Sequence, residues 1–122
     1  MKLGVLAAVA LAGLVVAAGE VRAQAVRAQA VRAFHSGNEM LSICDKNAAQ
    51  CVGFVAGVAD ALSEVTAGGG SLQGFRACIP TAVTAFQSRD VVVQFLRAHP
   101  EDRRLSAVSL AARALAESWP CQ

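Results

Sequence analysis

The sequence predicts an all-α protein: a small, disulfide-stapled helical bundle of about four helices. Apolar side chains recur at helical spacing in most segments after residue 36, and capping residues precede two of those segments. Four cysteines provide covalent staples. One run, 91–93, consists of three valines and has strand propensity, but nothing else in the chain offers a partner strand and an isolated strand would be unstable. We therefore predict a helix there too.

The chain begins with a predicted export signal. Lys2 precedes an apolar run from Leu3 to Ala18, which at about 16 residues is short for a membrane span and typical of a signal-peptide core. Small residues at −3 and −1 favour cleavage after Ala25, and an uncleaved anchor is the alternative. Other cleavage sites of the same kind are Ala18, Ala23 and Ala30. Since no second apolar run of that length is apparent, we expect no membrane attachment after cleavage.

Cleavage after Ala25 divides the chain into three regions: a signal peptide (1–25), a short repeat and linker (26–33) and a helical domain (34–122). The linker consists of one Val-Arg-Ala-Gln-Ala unit followed by Val-Arg-Ala. The chain has 11 Lys and Arg against 9 Asp and Glu; removing Lys2, Arg22 and Glu20 with the signal leaves nine against eight. Such balance provides no clustered basic face, so we expect no nucleic-acid partner.

The four cysteines all lie after the signal. An even cysteine count in a small exported chain predicts a disulfide framework, and a domain of about 90 residues is marginally stable without such staples. We predict Cys44–Cys51, because a tight turn between two helices brings these residues together, and therefore Cys78–Cys121. The second bridge would hold the C-terminal end of the chain.

Two helices are predicted before residue 66. A capping box, Ser36 with Glu39, opens the first, which should end near Cys44 and Asp45. The second is predicted from Ala48 to about Val65. One of its faces carries only small residues four apart, and we expect another helix to pack there: Ala49, Gly53, Gly57 and Ala61.

A surface loop is predicted over 66–77, since its glycine triplet and Gly74 cannot lie inside a helix. Loops on a rigid scaffold often carry binding residues, and this loop offers an apolar, amide and guanidinium mixture typical of interface hot spots. We predict partner binding through Leu72, Gln73, Phe75 and Arg76. The alternative for Leu72 and Phe75 is that they fold back onto the core.

Two further helices complete the prediction. Thr84 and Gln87 form a second capping box before a helix that ends near Ala98. On its exposed face, Gln87 and Asp90 are further partner-binding candidates. The last helical segment is predicted to start at Pro100. Its predicted buried stripe consists of Leu105, Val108, Ala112, Leu115 and Trp119.

No catalytic or cofactor-binding constellation is apparent, so we predict no enzyme activity, no cofactor and no metal. Paired cysteines leave no free thiolate nucleophile, and their spacing does not match a zinc site. His35 and His99 lie at helix boundaries. Asp60 and Glu64 lie one helical turn apart, an arrangement more typical of a solvated face than of acid–base chemistry.

The order of motifs from residue 34 onward is similar to that of the Rap/Tai immunity-protein family. The resemblance covers nearly all of 34–122. It rests on these segments: Phe34-x-x-Gly37-Asn38 with Cys44, Cys51 to Asp60, Cys78-Ile79-Pro80 with Val83, Thr84 and Gln87, Asp90-Val91-Val92-Val93, His99-Pro100-Glu101, Ser106-Ala107, Ala114-Leu115 and Trp119-Pro120-Cys121. Phe54 stands where the family often has tyrosine, which removes one hydroxyl.

The resemblance implies a periplasmic, all-helical and often dimeric protein. Members of that family protect bacteria against cell-wall amidase effectors delivered by type VI secretion. The implied partners are therefore a secreted peptidoglycan amidase effector, whose cleft the chain would occlude, and a second copy of the chain. The alternative is a small periplasmic stress chaperone of the HdeA kind, which would expose apolar surface below about pH 3–4 as carboxylates protonate.

Overall fold

A computed structural model describes residues 33–122 of the chain. This part contains α1 (Gly37–Lys46), α2 (Ala48–Ala67), α3 (Ala85–Ala98), a 3-10 turn (Pro100–Asp102) and α4 (Ala107–Ser118). Residues 33–122 include no extended strand, only two isolated bridges. The predicted all-α bundle is confirmed. The predicted signal peptide and all but the last residue of the predicted linker lie outside the described residues.

Side-chain caps fix where the helices begin. Both predicted capping boxes form: the Ser36 hydroxyl accepts from the Glu39 N–H at 3.2 Å, and the Thr84 hydroxyl accepts from the Gln87 N–H at 3.1 Å. The Gln87 side chain in turn accepts from the Thr84 N–H at 2.8 Å. Asn47 caps α2 in the same way, through the N–H of Gln50. Asn47, the single residue between the two helices, is therefore the C-cap of α1 and the N-cap of α2.

The last helix begins later than the sequence predicts. Pro100 opens only a 3-10 turn, and α4 starts at Ala107 under a Ser106 cap. The intervening segment bonds to the start of α1: the Leu105 carbonyl accepts from the Gly37 N–H, and the Arg103 carbonyl accepts from the Asn38 N–H, both at 2.9 Å. These carbonyls satisfy amides that α1 cannot bond internally. Leu105, predicted to be buried, is 41% exposed because it precedes α4.

All four helices contribute to one hydrophobic core. Its fully buried large side chains are Met40 from α1, Val55 and Leu62 from α2, Val92 and Leu96 from α3, and Leu115 from α4. Alanines on α4, at 107, 111, 112 and 114, are also buried and allow the other helices to pack closely against it.

The prediction that another helix packs against the small-residue face of α2 is wrong. Gly53 and Gly57 are exposed, as are Ala49 and Ala61, and a Cβ built on either glycine meets no atom within 4 Å. The buried residues of α2 lie on the opposite side of the helix: Cys51, Val55, Val58, Leu62 and Thr66. Large side chains fill the core, while the small ones remain on the surface.

By length and composition alone, α2 is long and apolar enough to cross a membrane, which corrects the expectation that no such run follows the signal. Its surroundings are those of a helix in a bundle. One side packs into the core, and its exposed side carries Asp60 and Glu64.

Both disulfides form between the pairs predicted from the sequence. Cys44 and Cys51 join the end of α1 to the first turn of α2, with their Cα atoms 4.7 Å apart. Cys78 and Cys121 have Cα atoms 5.0 Å apart and connect the segment before α3 to the end of the chain. Beside this second bridge, the Cys78 N–H donates to the Trp119 carbonyl at 2.9 Å. The chain end is therefore held by a covalent and a hydrogen bond.

Candidate partner-binding surface

The segment between α2 and the Cys78 bridge contains a tight two-residue turn. We call residues 68–77 the Gln73 loop. At its centre, the backbone N–H groups of Leu72 and Phe75 each donate to the other residue's carbonyl at 2.9 Å. Gln73 has φ 54° and Gly74 has φ 82°, so both central residues are left-handed, which defines a type I′ turn. Among the described residues other than glycine, Gln73 alone has a positive φ.

The two apolar residues of the turn face the protein. Leu72 and Phe75 are partly buried and pack against the hydrophobic core. Of the two interpretations that the sequence left open for this pair, the structure matches folding back onto the core. Gln73 and Arg76 remain exposed. The apolar pair therefore anchors the turn and leaves the amide and guanidinium groups at the surface.

Thr66, in the last turn of α2, accepts hydrogen bonds from the last two residues of the Gln73 loop. Its buried hydroxyl accepts from the N–H of Ala77 at 3.2 Å, and its carbonyl accepts from Arg76 Nη2 at 3.5 Å. Cys78 follows at once with its disulfide. Thr66 is one of two buried polar side chains in residues 33–122, and the Ala77 bond gives its hydroxyl a partner.

A side-chain hydrogen bond joins the tip of the loop to α4. Ser109 Oγ, in the first turn of α4, donates to Gln73 Oε1 at 3.2 Å. The backbone of Ser109 is itself fixed by the Ser106 cap, which accepts from its N–H at 3.2 Å. The Gln73 side chain thus has one defined contact with a helix, although it lies at the protein surface.

The predicted residues on α3 are exposed but already engaged within the helix. Gln87 completes the Thr84 capping box. Asp90 Oδ1 accepts two bonds from Arg89, from Nε at 3.0 Å and from Nη2 at 2.7 Å. No hydrogen bond or ion pair within residues 33–122 links either residue to the Gln73 loop, so the structure does not join the two predicted groups into one cluster.

Sequence reasoning missed Phe86, an aromatic residue on the same helix. Its ring is 60% exposed, and the Arg89 guanidinium carbon lies over it at 5.4 Å from the centroid. Helical phase could have revealed this exposure, because the buried residues of α3 lie on the opposite side: Ser88, Val92, Phe95 and Leu96.

A groove of ≈ 300 Å³ lies between α3 and α4. Its lining consists of Val91, Gln94, Phe95, Ala98, Ala114, Glu117 and Ser118.

Arg113, beside this groove, contacts three side chains. It donates hydrogen bonds to Glu117 at 2.9 Å and to Asp102 at 3.3 Å, and its guanidinium carbon lies 5.1 Å from the centroid of the Phe95 ring. The hydrogen bond that Arg113 donates to the Glu117 carboxylate is the main cause that raises the pKa of Arg113 above its usual range.

Both histidines contact neighbouring residues of the bundle. His99 Nδ1 lies 2.8 Å from the Phe95 carbonyl, and its ring stacks on the Phe95 ring with centroids 4.0 Å apart. His35 lies 3.6 Å from the Glu39 carboxylate and packs edge-on against Phe54. Within residues 33–122, no group of three or more His, Cys, Asp or Glu side chains is arranged to hold a metal ion.

Comparison with known protein families identifies the class to which this bundle belongs. The family model described as Rap1a immunity proteins matches residues 36–121, which include both disulfides and all four helices. The chain therefore belongs to the Rap1a immunity protein family, as the motif order predicted. No curated protein and no solved structure matches the sequence. Its role is that of an immunity protein, a class that acts by binding a partner effector.

Proposed function

We propose that this immunity protein binds a cell-wall amidase delivered by type VI secretion and occludes its active-site cleft. The family match over 36–121 carries this proposal, together with the resemblance of the motif order to the Rap/Tai proteins. Inhibition by occlusion requires shape and surface chemistry but no reactive group. A non-enzymatic role agrees with the immunity family.

The Gln73 loop is the proposed inhibitory element. It is exposed at Gln73 and Arg76, while Leu72 and Phe75 anchor it to the core. An inhibitor that is already ordered loses less conformational entropy on binding, so a rigid loop supports tight association. The α3 residues Gln87 and Asp90 are proposed as a second, separate contact region.

The site of action is proposed to be the periplasm, where a peptidoglycan amidase would attack the cell wall. The predicted signal peptide provides export, and disulfides form and persist in that oxidising compartment. We further propose that the chain forms a homodimer, an expectation that rests on the family resemblance alone.

Survival of a bacterial host tests this proposal. A peptidoglycan amidase effector delivered by type VI secretion is exported to the periplasm of a host, with and without this protein. We expect lysis with the amidase alone and survival when the full-length chain is co-expressed. The matched control lacks residues 1–25 and remains in the cytoplasm, where it should give no protection. Lysis despite oxidised, folded protein in the periplasm would contradict the proposal.

A further inference from the structure

We propose that Gln73 determines partner specificity by donating hydrogen bonds to a carboxylate on the amidase, and that Ser109 is the positioning residue that orients its amide. This inference rests on the proposed function, since it names the chemistry of the same contact. Its basis is the geometry of one exposed side chain: a strained backbone, a fixed amide oxygen and a charged neighbour.

The backbone at Gln73 is held in a conformation that glycine adopts more readily. The φ of 54° is uncommon for a residue with a Cβ atom, and the reciprocal bonds between Leu72 and Phe75 impose it. Backbone strain of this kind persists where the surrounding structure over-determines it, and it concentrates at ligand clamps and other functional sites. A glutamine at this position therefore indicates a use for its side chain.

The hydrogen bond from Ser109 determines which end of the amide is free. Because Ser109 Oγ donates to Gln73 Oε1, the oxygen already has a partner within the protein. The two N–H groups on Nε2 have no acceptor within residues 33–122. Since Gln73 is exposed, its amide presents donors outward.

Arg76, three residues after Gln73 in the same loop, is exposed and carries a positive charge. Its guanidinium uses one nitrogen to contact the Thr66 carbonyl, and it is a donor-only group with five N–H bonds. The Gln73 loop contains no acidic residue, so Arg76 is its only charged side chain. Two donor groups and a positive charge favour a carboxylate partner, because hydrogen bonds to a charged acceptor are about twice as strong as neutral ones.

The central variant is Gln73→Glu, measured by calorimetric titration against the purified amidase from the survival assay. Glutamate keeps the shape of glutamine and can still accept from Ser109, but it removes both outward donors and adds a negative charge. We expect at least about a tenfold loss of affinity, since like charges across an interface oppose binding. Gln50→Glu on α2 makes the same change at an exposed position and should bind like the wild type.

A double-mutant cycle separates positioning from structure. Ser109→Ala should weaken binding by about three- to tenfold in the wild-type background, the magnitude of one modest hydrogen bond. It should have no further effect in the Gln73→Ala background, where there is no amide to orient. A purely structural role for Ser109 would instead weaken both backgrounds equally.

The outcomes distinguish this inference from the function on which it rests. No binding by the oxidised wild type would contradict the proposed function, and this inference with it. Wild-type binding combined with unchanged affinity of Gln73→Glu, or with equal Ser109→Ala losses in both backgrounds, would overturn this inference alone. Melting curves of each variant verify that the fold is retained.

Discussion

Gly37 packs so closely against Leu110 that no side chain fits between them. A Cβ built on Gly37 would lie 2.5 Å from Leu110 Cδ1 and 3.0 Å from the Cα and carbonyl oxygen of Arg103. The contact joins the first residue of α1 to α4 and to the segment whose carbonyls accept the first α1 amides. Close backbone approach, rather than backbone conformation, therefore requires glycine here.

We expect Gly37→Ala to lower the free energy of unfolding by about 1–3 kcal/mol, because the added methyl overpacks a buried site whose neighbours include backbone atoms. Denaturant unfolding under oxidising conditions measures the change. The matched control is Gly57→Ala on α2, where the new methyl meets nothing within 4 Å. That variant should gain about 0.5–1 kcal/mol from helix propensity. Equal effects at the two positions would contradict the packing described here.

The two disulfides should differ in their contribution to stability. In the chain-entropy model, the Cys78–Cys121 bridge, with a sequence separation of 43, is worth about 4 kcal/mol, and Cys44–Cys51, with a separation of 7, about 2.5 kcal/mol. Replacing each pair with serines and comparing unfolding midpoints tests this order. A larger loss from the Cys44/Cys51 variant would show that local packing, not loop closure, dominates.

Arg113 should stabilise the bundle more than Arg97 does. Arg113 contacts the Phe95 ring, Asp102 and Glu117, whereas Arg97 forms one exposed ion pair with Asp45 at 3.0 Å. Arg113→Met should therefore lower the unfolding midpoint more than Arg97→Met, since exposed ion pairs contribute little. Unfolding in urea, which leaves ionic strength unchanged, provides the comparison.

The pH dependence of the Arg113 contribution follows from the direction of its pKa shift. Folding raises the pKa of this guanidinium, so its stabilisation is fully present below the unfolded-state pKa and is lost only as pH rises through the higher folded-state pKa. Both values lie far above neutral pH. Arg113 should therefore stay protonated, and its contribution to the free energy of unfolding should not change, between about pH 6 and 9. A drop in the effect of Arg113→Met within that window would contradict this assignment.

Gln73→Gly should separate stability from binding. Glycine relieves a left-handed backbone that costs about 1–2 kcal/mol, but it increases the entropy of the unfolded chain and loses the Ser109 bond. These effects nearly cancel, so we expect the free energy of unfolding to change by less than about 1 kcal/mol. Affinity for the amidase should fall at least about tenfold, because the side chain is absent. A large loss of stability would indicate that Gln73 serves the fold rather than recognition.

Some features of the fold follow directly from the sequence because they depend on local chemistry. Ser36 with Glu39 and Thr84 with Gln87 are capping boxes whose partners lie three residues apart, and both form. The Cys44–Cys51 pair follows from a short turn between helices, and Cys78–Cys121 is then the remaining pair. Such features need no knowledge of how distant segments pack.

Other features depend on packing between distant segments. Both sides of α2 are uncharged from Ala48 to Ala59, so periodicity identified the helix but small size misled the choice of packing face. The start of α4 was misplaced because carbonyls at 103 and 105 bond to α1, which lies far away in sequence. The same reason hid the Ser109–Gln73 bond, since it joins residues 36 positions apart.

Inhibition of peptidoglycan hydrolysis tests the central claim most directly. The amidase used in the survival assay is incubated with purified peptidoglycan and increasing amounts of the oxidised protein, and released peptide is measured. We expect activity to fall in proportion to added protein and to vanish near one chain per enzyme, with Gln50→Glu as a matched active control. The enzyme is used at about micromolar concentration. Full amidase activity in a roughly tenfold excess of folded, oxidised protein would contradict inhibition by this chain.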